Sequence, residues 1–334
     1  MEAVACNLCG SDQNHIAFYQ RDLSHGTSDQ EFSVVRCERC QLLYLNPRPT
    51  ESEIGQYYPK EYFPVLNQDS PILRQRHAKG VAGKIKRWLL EEYFGYPSEL
   101  NSPILKKIRK FFLFPEWAQR VIRGKDVVPY IGEGRLLDVG CGPGVNLGVF
   151  QMLGWNVYGV ELSEVAVAHA RKWFGDRIHA GKLEDSSFEE GSFDVILFSH
   201  SLEHMFNPVE TLVVARRLLK SGGMVVITVP NAGSFESRLF GRWWYPWELP
   251  RHLYHFDNNS LVEVLAKAGF RVTRLRTGKG SLFFMASLHR YANQVWHGRI
   301  RGQKFLERLI IRPLTLVAGH LGYGSEMTAY AVRS

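Results

Sequence analysis

Apolar residues in the second half of the chain fall into short runs separated by amphipathic stretches, the pattern of an alternating strand–helix fold. Residues 136–139 (Leu-Leu-Asp-Val) read as a buried strand that opens into glycines, and Val145, Phe150 and Leu153 follow at helical spacing. Residues 157–160 predict a second strand with Glu161 at its carboxyl end, and Ser163 is placed to cap a helix through Val167 and Ala170. A short strand at 178–180 turns into a loop, and 191–198 is apolar enough for a central parallel strand. A helix over 212–219 is expected to stop at Ser221-Gly222-Gly223 before a fifth strand at 224–229, and 327–332 reads as the last strand. In open sheets of this kind ligands bind outside the carboxyl ends of the strands. Glu161, Leu183, Ser199, His200 and Asn231 all map there.

The glycine turn decides which ligand chemistry to expect. A dinucleotide fingerprint is G-x-G-x-x-G/A, with its third small residue packing helix on strand. Counted from Gly140 and Gly142 the third position is Val145, and from Gly142 and Gly144 it is Leu147, so that fingerprint fails in both registers. The pattern is Asp138-x-Gly140-x-Gly142-x-Gly144, with the acidic Glu161 about one strand and one helix further on.

This pattern resembles motif I of class I S-adenosylmethionine-dependent methyltransferases. Gly191-Ser-Phe-Asp194, His200-x-x-Glu203-His204-x-x-x-Pro208, Leu218-Leu-Lys-Ser-Gly-Gly223, Pro230-Asn231 and Pro250-Arg-His-Leu-Tyr-His-Phe256 follow in the family's order. Together they resemble a bacterial subgroup that carries an N-terminal zinc-binding segment, with many members in sugar, polysaccharide or secondary-metabolite pathways. The resemblance covers residues 130–280 and, less closely, 1–60; it leaves 65–125 and 281–320 unexplained. It implies a Rossmann-like, doubly wound α/β sheet of seven strands in the order 3-2-1-4-5-7-6, the last strand antiparallel. It also implies a cofactor site of Asp138, Gly140, Cys141, Gly142, Gly144, Glu161, Leu162, Leu183 and Ser199, with Glu161 on the ribose. Lys182 departs from the family, which often has an acidic residue there near the adenine. The adenine contact is therefore expected at the Leu183 backbone and at Glu184 or Asp185.

Four of the five cysteines form two C-x-x-C pairs, Cys6/Cys9 and Cys37/Cys40, with 27 residues between the pairs. Two such pairs are the usual way to build a tetrahedral thiolate zinc site. With four protein ligands and no open position the ion would be structural. A hairpin or loop must fill the long gap, and Gly10 suits the turn after the first pair. Cys141 has no partner and reads as a small loop residue.

Charge is unevenly spread. The net charge is +8, yet residues 71–125 carry 13 Lys/Arg against 4 Glu and residues 271–312 carry 10 against 1. The remainder is therefore acidic. Ile104, Ile108, Phe111 and Phe112 alternate with Lys106, Lys107, Arg109 and Lys110 as a basic amphipathic helix, and a similar stretch with Arg299, Arg301, Lys304, Arg308 and Arg312 runs over 282–316. Such helices either lie in an anionic membrane interface or pack as lids on a core. No run approaches the length of a bilayer span and no secretory leader is recognisable. A cytoplasmic protein, with a peripheral membrane location as the variant, is expected. The chain divides as a zinc-ribbon-like segment over 1–60, a basic helical region over 61–129, and a methyltransferase domain over 130–334 with a helical insertion at about 281–320.

Methyl transfer to a hydroxyl, amine or activated carbon needs a group to manage the departing proton, and a histidine titrates in the right range. His204, His252 and His200 are the catalytic candidates, with Glu203 placed to orient a ring; His255 is a further imidazole. Arg251 could neutralise an anionic acceptor. The segment Arg242-Trp-Trp-Tyr-Pro-Trp247 offers flat rings for an acceptor pocket, Trp244 among them, or else forms a core corner. Tyr57 and Tyr58, with Tyr62, are candidates for a lid from the N-terminal segment. The expected reaction is methyl transfer from S-adenosyl-L-methionine to a small-molecule, sugar or lipid-linked acceptor. Its rivals are an RNA methyltransferase and a zinc-ribbon nucleic-acid-binding protein; the acidic chassis and the missing aromatic RNA-binding signature weigh against nucleic acid. The H-x-x-E-H spacing also matches inverted zinc peptidases, but it follows a buried strand where that motif needs a helix.

Overall fold

The computed structural model describes residues 1–59, 62, 90–91, 94–97, 128–278, 280–296, 298 and 302–334. The expected basic helix at 104–112, and Arg299 and Arg301, lie outside them. The chain divides into two compact units: 1–62 with 198–216 and 227–334, and 63–197 with 217–226.

The second unit holds the apolar strands that the pattern predicted. Strand β4 (Arg135–Val139) is buried at every residue after Arg135, as a central strand covered on both faces should be. It pairs in parallel with β5 (Asn156–Glu161), which pairs in parallel with β6 (Ile178–Ala180). Between them run α1 (Val145–Met152) and α2 (Glu164–Phe174); the Ser163 hydroxyl accepts from the Ala166 amide and caps α2 as expected. Strand β7 (Phe193–Ser199) is followed by α3 (Pro208–Leu218) and β8 (Leu219–Pro230). The expected break at Ser221-Gly222-Gly223 is absent, and β8 begins five residues earlier than Met224. A Cβ on Gly223 would lie 3.1 Å from the Asp194 carbonyl oxygen. The glycine thus permits a close strand approach rather than ending an element.

In the first unit β10 (Phe270–Thr277) and β11 (Glu326–Arg333) pair antiparallel. Strands β7 and β8 continue through both units, and the whole sheet runs β10-β11-β8-β7-β4-β5-β6. That is the order implied by the resemblance. Between β8 and β10 come α4 (Phe235–Phe240) and α5 (Asn258–Lys267), the latter closed by a reciprocal capping box of Asp257 and Ser260. Between β10 and β11 come α6 (Leu282–Tyr291), α7 (Gln303–Leu306) and α8 (Arg312–His320). Leu282, Phe305 and Val317 on this stretch are more than half exposed. No helix among the described residues is long and apolar enough to cross a membrane.

The N-terminal segment forms a four-stranded sheet: β1 (Asn14–Gln20), β2 (Phe32–Cys37), β3 (Leu43–Leu45) and, from the far half of the sequence, β9 (Tyr254–His255). Leu43 pairs with His255 and Tyr44 with Tyr254. A buried ion pair makes a second tie. Both side chains of Arg251 and Asp22 are 0% exposed, and the guanidinium donates to the two carboxylate oxygens at 2.7 and 3.0 Å. Burial alone would raise the Asp22 pKa, but Arg251 and Thr27 outweigh it and hold this carboxyl well below the usual carboxylate range. A lowered pKa contributes stability above the unfolded value and loses it as pH falls. Arg251→Met, which strands the Asp22 charge, should lower unfolding free energy by about 3–5 kcal/mol at neutral pH. The deficit should shrink as pH falls, first as the stranded Asp22 of the variant takes up a proton and then, below about pH 4, as the wild type loses its own ion-pair contribution. Urea titrations of both proteins across pH check this; an undiminished deficit in acid would contradict it.

Candidate functional site

The glycine loop after β4 is built for close approach. Gly140, Gly142 and Gly144 have φ of 77°, 54° and 87°, conformations that side chains other than glycine rarely adopt. A Cβ on Gly144 would also meet the Phe174 ring at 2.7 Å. The Gly140 and Cys141 amides donate to the Val160 carbonyl, which fixes the loop to the end of β5. There Glu161 takes over. Its Oε2 accepts from the Gly142 amide and its Oε1 from the Ser163 amide, each at 2.8 Å. Each oxygen keeps a further lone pair, so the carboxylate is held rigidly and can still accept from a ribose diol. Asp138, two residues before Gly140, is 1% exposed. Leu183 is buried in a short turn, its carbonyl accepting from Ser186, whereas Leu162 is exposed. Burial, with Asp138 and Glu161 nearby, pushes the Cys141 thiol well above its ordinary value, so it is not a nucleophile.

The four cysteines of the N-terminal segment converge. Sulfurs of Cys6 and Cys40, and of Cys9 and Cys37, are 3.4 Å apart, and all four lie within 4.8 Å of one another. All are free thiols. The separations are far from the ~2.05 Å of a disulfide and near the ~3.8 Å edge of a ZnS4 tetrahedron. The cluster can therefore hold a tetrahedral ion. The expected hairpin between the pairs is β1–β2. Gly10 turns after the first pair (φ 75°), its amide on the Cys6 carbonyl, and Gln41 makes the same turn after the second (φ 63°), its amide on the Cys37 carbonyl.

A second cluster lies within the first unit. A cavity of about 270 Å³ is lined by Tyr62, His200, His204, Pro230, Tyr245, Pro246, Glu248, His252 and Phe283. His200 and Glu248 are non-glycine residues at positive φ, 54° and 42°, the kind of backbone cost that is retained at functional sites. The His200 Nε2 is 2.8 Å from Glu326 and its Nδ1 is 3.6 Å from Glu203. Burial would lower the His200 pKa, but the two carboxylates outweigh it and raise it to about 10, so this ring is a cation at neutral pH. His204 is the reverse. Burial, and then the facing His252, push it down to about 4, and its ring meets that of His252 edge-on at 4.6 Å. Glu203 is 1% exposed. Burial would raise its carboxyl, yet the surrounding imidazoles hold it at about 2.

A methyltransferase domain family model matches residues 105–275. The chain belongs to this family. Ubiquinone biosynthesis O-methyltransferases are similar over parts of their length. That of Aromatoleum aromaticum is 32% identical over 112 residues, 32% of this chain and 47% of that protein. That of Maricaulis maris is 32% identical over 156 residues, covering 44% and 59%. The chain thus spans about half the length of the curated relatives it matches. A solved S-adenosylmethionine-dependent methyltransferase of Mesorhizobium loti is 18% identical with a TM-score of 0.41, covering 62% of this chain and 94% of that one. At that score the likeness adds nothing to what the strand order establishes.

Within the methyltransferase frame the three candidate histidines, His200, His204 and His252, meet around one cavity. The acceptor-side candidates divide. Tyr58 is beside His204, its hydroxyl 3.2 Å from Nδ1, and Tyr62 lines the cavity. Tyr57 does not join them: it is buried, packing edge-on against Phe32. Trp244 is 0% exposed and packs against Trp247, so the core-corner reading holds for it, while Tyr245 and Pro246 face the cavity. Arg251 is not available to an acceptor, because Asp22, the Tyr57 carbonyl and Glu248 consume its guanidinium. Ser199 closes β7. Asn231 is spent on the Gly324 carbonyl and Gly233 amide. Sequence reasoning missed Glu248 and Glu326. The first carried a signal, since Glu248 and His252 are four residues apart and their Oε2 and Nε2 are 3.6 Å apart; the second sits on a strand far away in sequence. Glu326→Gln removes one of the two anions that favour the imidazolium, so the His200 titration midpoint should fall from about 10 toward that of an ordinary imidazole. Imidazole NMR titration measures it, and an unmoved midpoint would refute the assignment.

Proposed function

We propose that this protein transfers a methyl group from S-adenosylmethionine to the oxygen of a hydroxylated small molecule. The observation that carries the reading is the trio of positive-φ glycines locked to a Glu161 carboxylate at the end of β5. It is supported by the family membership and the strand order. When bound, S-adenosylmethionine supplies an electrophilic methyl on sulfur. The chain has to orient the acceptor, exclude water and govern loss of its proton. Tyr62, Tyr245 and Phe283 supply ring surfaces for the acceptor in the cavity, and the relatives named ubiquinone biosynthesis O-methyltransferase favour transfer to an oxygen. The Nδ1 atoms of His204 and His252 lie 3.0 and 2.8 Å from the carbonyl oxygens of Arg251 and Pro246. Each Nδ1 therefore carries a proton, and in the neutral ring the lone pair is on Nε2. We assign control of the acceptor's proton to these two rings and the cation on the cavity wall to His200.

Calorimetry with S-adenosylhomocysteine tests the cofactor half. The wild type should bind and Glu161→Ala should bind at least tenfold more weakly; a wild type that does not bind ends the reading. Transfer of labelled methyl to a panel of hydroxylated ring compounds tests the other half. His204→Gln and His252→Gln should each cut turnover by roughly 10²–10⁴-fold with S-adenosylhomocysteine affinity retained.

The same proposal gives the cysteine cluster a structural zinc ion, held by Cys6, Cys9, Cys37 and Cys40. Closed thiolate sites contribute folding free energy directly. Cys37→Ser should lose the metal, read by elemental analysis, and melt earlier. Full metal content in that variant would be the contrary result.

A further inference from the structure

The Glu203 carboxylate poses a problem that hydrogen bonding within the chain does not solve. It is 1% exposed, and neither oxygen has a hydrogen-bond partner. Buried carboxylates are almost always bonded or paired at close range. The nearest imidazole nitrogens, His200 Nδ1 at 3.6 Å and His252 Nε2 at 4.0 Å from Oε1, offset its charge at ion-pair range but are too far to donate a hydrogen bond of normal length.

The two rings beside it compound the problem. His204 and His252 each direct Nδ1 at a main-chain carbonyl, of Arg251 at 3.0 Å and of Pro246 at 2.8 Å. A carbonyl only accepts, so each Nδ1 carries a proton, and in the neutral ring Nε2 is then the acceptor. One Glu203 oxygen and one nitrogen from each ring lie within 4.8 Å of one another, and the His252 Nε2 is 4.0 Å from Glu203 Oε1. With both rings neutral these are three acceptors facing one another, an arrangement that a cation between them relieves. The orientation of the rings is also the one that metal-ligating histidines take, with the outer nitrogen bonded to a carbonyl or carboxylate.

We propose that Glu203, His204 and His252 form a binding site for a divalent first-row transition cation. The donor set is two imidazole nitrogens and one carboxylate oxygen, which suits such ions and leaves coordination positions open. Donors around an ion at 2.0–2.2 Å lie ~3 Å apart, so binding draws the three side chains inward by about an ångström. Glu248, with Oε2 3.6 Å from the His252 Nε2, is a second carboxylate at the rim. The ligand set is not the H-x-x-E-H pairing of inverted zinc peptidases, because His200 is turned to Glu326. His204 and His252 line the cavity assigned above to the acceptor. Resting on that assignment, a bound cation would take an acceptor hydroxyl and lower its pKa so that its proton passes to solvent; the two rings would then act on that proton as ligands and not as bases.

The test is titration of the zinc-loaded full chain with Co²⁺, read in the visible d–d bands. Thiolates prefer Zn²⁺ to Co²⁺, so the cysteine cluster stays closed, and any exchange there would reveal itself as thiolate charge-transfer absorption. One Co²⁺ per chain, with d–d bands and no thiolate band, is the expected result. Glu203→Gln and His252→Gln should weaken it at least tenfold, while Glu190→Gln, an exposed surface change, should not. S-adenosylhomocysteine calorimetry on each variant reports whether it is folded. The proposal is overturned if the wild type takes up no Co²⁺ beyond the cysteine cluster, or if folded Glu203→Gln and His252→Gln bind it as the wild type does. Loss of Co²⁺ binding with S-adenosylhomocysteine binding intact sinks this site alone. Co²⁺ binding without S-adenosylhomocysteine binding sinks the methyltransferase reading and leaves the site.

Discussion

Arg251 organises the half of the molecule that faces the cavity, and it does so with both its side chain and its backbone. The guanidinium, wholly out of solvent, is neutralised by Asp22 and also donates to the Tyr57 carbonyl. That joins two points of the N-terminal segment to the turn before β9. The Arg251 carbonyl sets the tautomer of His204, and its neighbours Glu248 and His252 belong to the cavity wall. A buried ion pair is costly to desolvate and is often no more stabilising than an apolar substitute. Here it has a geometric use: a charge with a fixed fork of donors specifies where the turn sits, which an apolar contact would not.

Much of this was legible in the sequence, for identifiable reasons. The central strands were readable because burial on both faces leaves near-continuous apolar runs. The glycine loop was readable because only glycine serves at three alternating left-handed positions. The cysteine pairs were readable because two C-x-x-C turns close together in a chain rarely do anything but hold one ion. The histidines could be nominated from their place after β7 and near β9, since the carboxyl ends of strands are where ligands gather.

Burial of single polar side chains was not legible. Arg251 suits an acceptor surface, Tyr57 a lid and Trp244 either a pocket or a core corner, and all three are enclosed. Nothing local separates an arginine that meets a ligand from one that meets Asp22, more than two hundred residues earlier. Glu326 was missed for the same reason, because its meeting with His200 is made by a strand pairing that follows a long helical excursion. Ser221-Gly222-Gly223 failed in the opposite sense. Glycine there serves strand contact, and a local reading can only take it as a stop.

Strand β9 has a consequence for how the protein comes into being. The cysteine-bearing sheet takes its fourth strand from Tyr254–His255. The four thiols can gather once Cys40 has emerged from the ribosome, yet the sheet that carries them stays open at one edge until β9, which follows β4 to β8 of the large sheet, has been synthesised. The cysteine cluster can thus capture a metal about two hundred residues before its sheet is complete. An exposed edge strand is a hazard during that interval, and early closure of the thiolate cluster would keep the waiting segment compact until its missing strand arrives.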